Sequence, residues 1–78
     1  MKYQFGNKTL IREENDNLYI VNDKGETIWS LNELSKIPDS VTLLDIIDDR
    51  TIEFSTFNGM KYIFDVIDLK VLERKIVK

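Results

Sequence analysis

Apolar and polar residues alternate with a period of two through much of this chain. In Ile52-Glu53-Phe54-Ser55 each apolar residue is followed by a polar one, the pattern of a strand with one buried and one wet face. Met60-Lys61-Tyr62-Ile63-Phe64 follows, rich in aromatic and β-branched types, and Asn58-Gly59 separates the two runs. Asn-Gly between such runs is a strong short-range hairpin signal. Leu18–Val21 and Thr27–Trp29 repeat the arrangement around Asn22-Asp23-Lys24-Gly25, where Asn and Asp tolerate left-handed angles and Gly takes them without steric cost. Glu14–Asn17 and Asp48–Arg50 read as two further turns, and Asp68 begins a weaker one. The pattern predicts strands over 2–5, 8–13, 17–22, 26–30, 41–48, 51–56, 60–66 and 70–77.

One segment breaks the alternation. In residues 30–40, Ser30 and Glu33 have capping-box spacing, and Leu31, Leu34 and Ile37 share one helical face before Pro38. A short helix near residues 31–37 follows. The C-terminal segment carries two signals. Phe64, Ile67, Val71, Leu72 and Ile76 fit a helical stripe, whereas the β-rich run 60–67 with Val71, Ile76 and Val77 favours strand. Each half can form a four-stranded meander with residues 31–40 as the joint. Residues 18–29 laid over 61–72 share a Tyr-Ile pair, a polar turn and an apolar strand. The expected fold is mainly β: a single domain over 1–78, built as an antiparallel meander. It is curled into a half-barrel or folded as two small layered sheets.

Composition narrows the function. The 78 residues carry a net charge of −3 with no histidine and no cysteine. Triads, dyads and histidine general bases are therefore excluded, as are disulfides and cysteine-ligated zinc. The mild acidity opposes binding to nucleic-acid phosphates, which calls for a basic surface. The first ten residues lack the apolar core of a signal peptide, and no apolar run reaches membrane-spanning length. A cytoplasmic protein, with neither nucleic acid nor membrane as partner, is the expectation. Neither acidic stretch matches a calcium loop, and Gly6, Gly25 and Gly59 are too far apart for a phosphate loop. No metal or cofactor is expected. An enzyme would have to use the carboxylates of Asp45 and Asp49, for which so short a chain struggles to build a pocket.

The charge layout remains. Glu13, Glu14, Asp16, Asp23 and Glu26 surround two early turns, and Asp39, Asp45, Asp48 and Asp49 form a second acidic stretch. Such turns can steer and dock a basic partner. Residues 17–31, Asn-Leu-Tyr-Ile-Val-Asn-Asp-Lys-Gly-Glu-Thr-Ile-Trp-Ser-Leu, resemble one β-propeller repeat, and a propeller needs more blades than this chain can hold. In size, acidity, absence of cysteine and its Thr56–Val66 meander, the whole chain is similar to small acidic immunity proteins, the cytoplasmic inhibitors that bacteria make beside their own toxins. That resemblance implies a non-catalytic inhibitor whose acidic turns dock a basic toxin, with Glu13, Glu14, Asp16, Asp48 and Asp49 as contact residues. The alternative is a structural or oligomerising β-module that associates through its edge strands, as a homodimer for instance.

Overall fold

Among the described residues, eight strands in two sheets account for most of the length. The computed structural model describes residues 1–13, 17–34 and 39–76. Strands β1 (Lys2–Phe5), β2 (Lys8–Arg12), β3 (Leu18–Val21) and β4 (Thr27–Ser30) form one antiparallel meander. Strands β5 (Val41–Ile46), β6 (Thr51–Thr56), β7 (Met60–Asp65) and β8 (Lys70–Ile76) form a second. Every neighbouring pair is consecutive in sequence, as tight turns require. Of the two architectures left open by the sequence, the layered pair of sheets is observed. The C-terminal segment is strand.

Of the helix expected near residues 31–37, the described residues show a 3-10 turn over Leu31–Glu33. The Glu33 carboxylate accepts the Ser30 N–H at 2.8 Å, as the capping-box spacing predicts. Leu31 is buried in the core. Residues 35–38, including Ile37 and Pro38 of the expected helical stripe, lie outside the described residues, as does Val77 at the end of the last predicted strand.

The core forms where the two alternating patterns meet. β6 reads in strict alternation, with Ile52, Phe54 and Thr56 buried and Thr51, Glu53 and Ser55 half-buried on the other face. Phe5, Leu10, Leu18, Ile20 and Trp29 of the first sheet join Val41, Ile52, Phe54, Tyr62 and Phe64 of the second in one cluster. Trp29 is the main link. Its ring centroid lies 4.4 Å from that of Phe64 and 6.3 Å from that of Phe54. A direct polar contact between the sheets is the bond from Arg12 Nη2 to the Val41 carbonyl, at 3.2 Å.

The likeness between residues 18–29 and 61–72 falls on the third and fourth strand of each meander. It pairs half-buried Tyr19 with buried Tyr62, and buried Ile20 with half-buried Ile63. Shared letters thus fall on opposite faces, so at that offset the two halves do not pack alike.

The turns are held by side chains as well as by backbone. Asn22 Oδ1 accepts the N–H groups of Lys24 and Glu26, both at 2.9 Å, and Gly25 takes a φ of +81°. A Cβ at Gly25 would meet nothing within 4 Å, so backbone angle alone opposes a side chain there. Gly25→Ala should cost about 1 kcal/mol through the left-handed angle, read as a lower urea midpoint with an unchanged slope. A loss near zero would mean that this turn does not hold its geometry in solution.

The last hairpin corrects the sequence reading. β7 ends at Asp65, and the turn spans residues 66–69 instead of beginning at Asp68. Asp65 Oδ1 accepts the N–H groups of Ile67 and Asp68, each at 2.9 Å, and Leu69 takes the left-handed φ of +54°. A carboxylate that caps two successive amides stops the strand where the residue types alone would continue it.

Candidate binding surface

The meander topology decides which turns lie together. In the first sheet the β1–β2 and β3–β4 turns share one end, and in the second the β5–β6 and β7–β8 turns do so. Gly6, in the β1–β2 turn, lies within van der Waals reach of Ile67 in the β7–β8 turn, since a Cβ built on Gly6 would sit 3.9 Å from Ile67 Cδ1. All four turns therefore occupy the same end of the molecule. Glu13 lies at the other end, where Arg12 reaches Val41 and the Phe57 N–H donates to the Ser40 carbonyl at 2.9 Å. Five- and six-residue strands separate the two ends by roughly 17–20 Å.

The expected contact residues thus divide. Asp48 and Asp49 are exposed in the β5–β6 turn. Glu13 is exposed at the far end, its N–H donating to the Asn17 carbonyl at 3.0 Å and its carboxylate accepting from Asn17 Nδ2 at 3.4 Å. Glu14 and Asp16 lie outside the described residues. Glu13 and the Asp48-Asp49 pair are not brought together. Instead, Asp48 and Asp49 share their end with Asp23 and Glu26 of the β3–β4 turn and with Asp68.

At this end six carboxylates, Asp23, Glu26, Asp48, Asp49, Asp65 and Asp68, face four bases, Lys8, Lys24, Arg50 and Lys70. Arg50 is already engaged. Its Nε and Nη2 donate to Asp65 Oδ2 at 3.1 and 2.8 Å, and Nη2 also reaches Asp68 Oδ2 at 3.0 Å. The hydrogen bond and the charge of Asp65 hold the guanidinium above its ordinary pKa. Burial pushes the Asp65 carboxyl up. The Asp68 N–H, the Arg50 guanidinium and the Ile67 N–H outweigh it, leaving Asp65 below the usual carboxylate range. Asp48 is lowered as well, first by the Arg50 N–H, which donates to its Oδ1 at 3.0 Å, and then by the Thr51 hydroxyl and the Thr51 N–H, the latter at 2.8 Å.

These contacts fix the geometry of this end. Asn22 and Asp48 each lock a turn through two backbone amides, and Arg50 ties the β5–β6 turn to the β7–β8 turn. The Val66 N–H adds a bond to the Arg50 carbonyl at 2.8 Å. Acidic groups on locked turns lose little conformational freedom on binding. Sequence reasoning missed the Arg50–Asp65 pair. The one available signal was an arginine directly after Asp48-Asp49, with further acids only in the apolar run that follows.

Other features are less directed. Asp45 lies on β5 and Asp49 in the turn beyond it, and both are exposed. On the outer face of the second sheet, Glu53, Lys61, Ile63, Glu73 and Lys75 surround a depression of about 130 Å³. Its charges pair among themselves, with Lys61 Nζ 2.6 Å from Glu53 Oε1 and Lys75 Nζ 3.2 Å from Glu73 Oε1. The first sheet's outer face carries an open groove of about 600 Å³ with Tyr3, Ile11 and Val21 in its wall and Lys2, Asn22 and Asp23 at its rim. Among the described residues, no group of three His, Cys, Asp or Glu side chains could hold a metal ion. Nor is any helix there long and apolar enough to cross a membrane. No protein-family model, curated protein or solved structure matches this chain.

Proposed function

We propose that this chain is a cytoplasmic, non-catalytic protein-binding module, and most concretely an immunity-type inhibitor that docks a basic bacterial toxin through its acidic turns. The observation that carries the reading is the convergence of the β3–β4 and β5–β6 turns at one end, with Asp23, Glu26, Asp48 and Asp49 exposed there. An acidic surface steers a basic partner during encounter and fixes its orientation once bound. The absence of His and Cys from the sequence fits a protein whose task is occupation of a surface. Of the contact residues expected from sequence, Asp48 and Asp49 belong to this end. Glu13 would serve only a partner large enough to wrap the molecule.

Capture from extract of the protein's own cells tests the reading. At low salt, tagged protein should retain one basic protein in stoichiometric amount, and high salt should weaken its hold. The joint substitution Asp48→Lys and Asp49→Lys should lower the affinity at least tenfold, whereas Glu13→Lys leaves it within about twofold. The purified partner should lose its own activity on mixing at one to one. Equal retention by the doubly reversed protein, or capture of nothing but the chain's own untagged copy, would overturn the proposal.

A further inference from the structure

The groove of about 600 Å³ on the first sheet differs from the depression on the second in what its charges do. In the depression Lys61 pairs with Glu53 and Lys75 with Glu73. In the groove the Lys2 ammonium and the Asp23 carboxylate are both exposed, and neither has a partner among the described residues. Between them lie Thr9, Ile11 and Val21, all half-buried. The walls are already set. Gln4 donates to the Gly6 carbonyl at 2.8 Å and accepts from the Thr9 hydroxyl at 3.0 Å, while Asn22 holds the β3–β4 turn. Asn7, in the β1–β2 turn, lines the groove with a side-chain amide that has no partner among the described residues.

The spacing of the two charges selects a ligand. Lys2 lies opposite Ile11 and Ile11 opposite Tyr19, and Asp23 follows Tyr19 by four residues. At about 3.3 Å per residue, Lys2 and Asp23 stand about 13 Å apart along the strand direction. A free amino acid or other small zwitterion carries its charges too close together to reach both. An extended peptide covers the distance in about four residues, and its side chains at i, i+2 and i+4 face the same way. We infer that the groove takes an extended peptide segment of another protein, patterned basic-x-apolar-x-acidic in one chain direction or the other. The basic side chain seats at Asp23, the apolar one over Ile11 and Val21, and the acidic one at Lys2.

The Asn7 amide is placed to bond the peptide backbone where it passes the β1–β2 turn. Each exposed charge contributes little by itself, so the apolar centre and the fixed walls supply much of the affinity. A second copy of this chain is not the occupant. The required spacing occurs in its sequence once, at Lys61, Ile63 and Asp65 on β7, and that strand is already paired with β6 on one side and β8 on the other. Neither Asp48 nor Asp49 lines the groove, so this inference and docking through the acidic turns fail or stand separately.

Amide chemical-shift titration of the full chain at low salt tests the inference. The probes are two blocked peptides, Lys-Ser-Leu-Ser-Glu and its reverse, Glu-Ser-Leu-Ser-Lys. The controls are Gln-Ser-Leu-Ser-Gln and Lys-Ser-Ser-Ser-Glu. At least one probe should shift the amides of Thr9, Ile11, Val21 and Asp23, with a dissociation constant on the order of 1 mM. Asp23→Asn and Lys2→Gln, both at exposed positions, should each weaken that binding about threefold, and each control should bind at least threefold more weakly than the probe. No shifts in the groove with either probe up to about 10 mM would overturn the inference. So would unchanged binding by both variants, or shifts centred on Lys61 and Glu73 of the second sheet. Equal binding of Lys-Ser-Ser-Ser-Glu would also overturn it, by showing bare charge attraction without an apolar seat.

Discussion

Trp29→Ala should remove most of the domain's stability, with a loss of about 3–5 kcal/mol. Trp29 is 5% exposed and is the one indole in the chain. It stands on β4 of the first sheet, against Phe54 and Phe64 of the second. Truncation removes the ring from between the layers and leaves a cavity that short strands cannot close. Small domains have only about 5–15 kcal/mol in total, and one of this size sits toward the lower end. Urea unfolding followed by far-UV circular dichroism is the suitable measurement, because the substitution also removes the fluorophore. Trp29→Phe retains a ring and should lose less than half as much. Phe57→Ala is the control. Phe57 is 78% exposed, so its truncation should change stability by no more than about 0.5 kcal/mol. Equal losses at Trp29 and Phe57 would mean that the two sheets do not pack through Trp29.

Asp65→Ala should be the next most damaging change, at about 2–3 kcal/mol. One buried carboxylate serves three groups: the N–H of Ile67, the N–H of Asp68 and the Arg50 guanidinium. Removing it leaves two amides without acceptors in a turn that already holds Leu69 at a left-handed angle. Arg50 keeps access to water and to Asp68, which limits the loss. Asp68→Asn, which changes only the exposed end of the network, should stay within about 0.5 kcal/mol of wild type. The pH dependence has a definite sign. The folded-state pKa of Asp65 is depressed, so the native state binds fewer protons than the unfolded one near the unfolded value of about 3.9. Its stabilisation is complete above that pH and is lost as pH falls through the lower folded value. Asp48 adds a contribution of the same sign. Asp65→Asn should therefore flatten the loss of stability from about pH 4 downward. An acid profile unchanged by that substitution would show that Asp65 is not held as an ion.

Much of the fold was legible in the sequence because the decisive interactions are local. The alternation in β6 and the Asn58-Gly59 break place two strands and their turn with no reference to the rest of the chain. Asn22-Asp23-Lys24-Gly25 does the same for β3 and β4. The choice between strand and helix at the C-terminus went to strand. β7 supplies a neighbour there that pairs with β8 from Met60 opposite Ile76 to Asp65 opposite Lys70. Asp65 was less visible, because it sits in Phe64-Asp65-Val66-Ile67, which reads as strand until the carboxylate is seen to cap two amides. The candidate surface was the least legible part. Whether Glu13 or Asp23 lies beside Asp48 depends on which ends of the two sheets coincide. That is set by proximities such as that of Gly6 to Ile67, far apart in the chain. Sequence proximity placed Glu13 and Asp23 in one cluster, whereas β3 holds them at opposite ends of the first sheet.

Calorimetry with the captured partner tests the central claim most directly, comparing Asp48→Lys with Asp49→Lys against Glu13→Lys across a salt series. Docking through the converged turns predicts that the double reversal weakens binding at least tenfold at low salt and removes most of the salt dependence, while Glu13→Lys changes neither. The opposite ranking, with Glu13→Lys damaging and the double reversal neutral, would contradict the account and move the binding surface to the other end of the molecule.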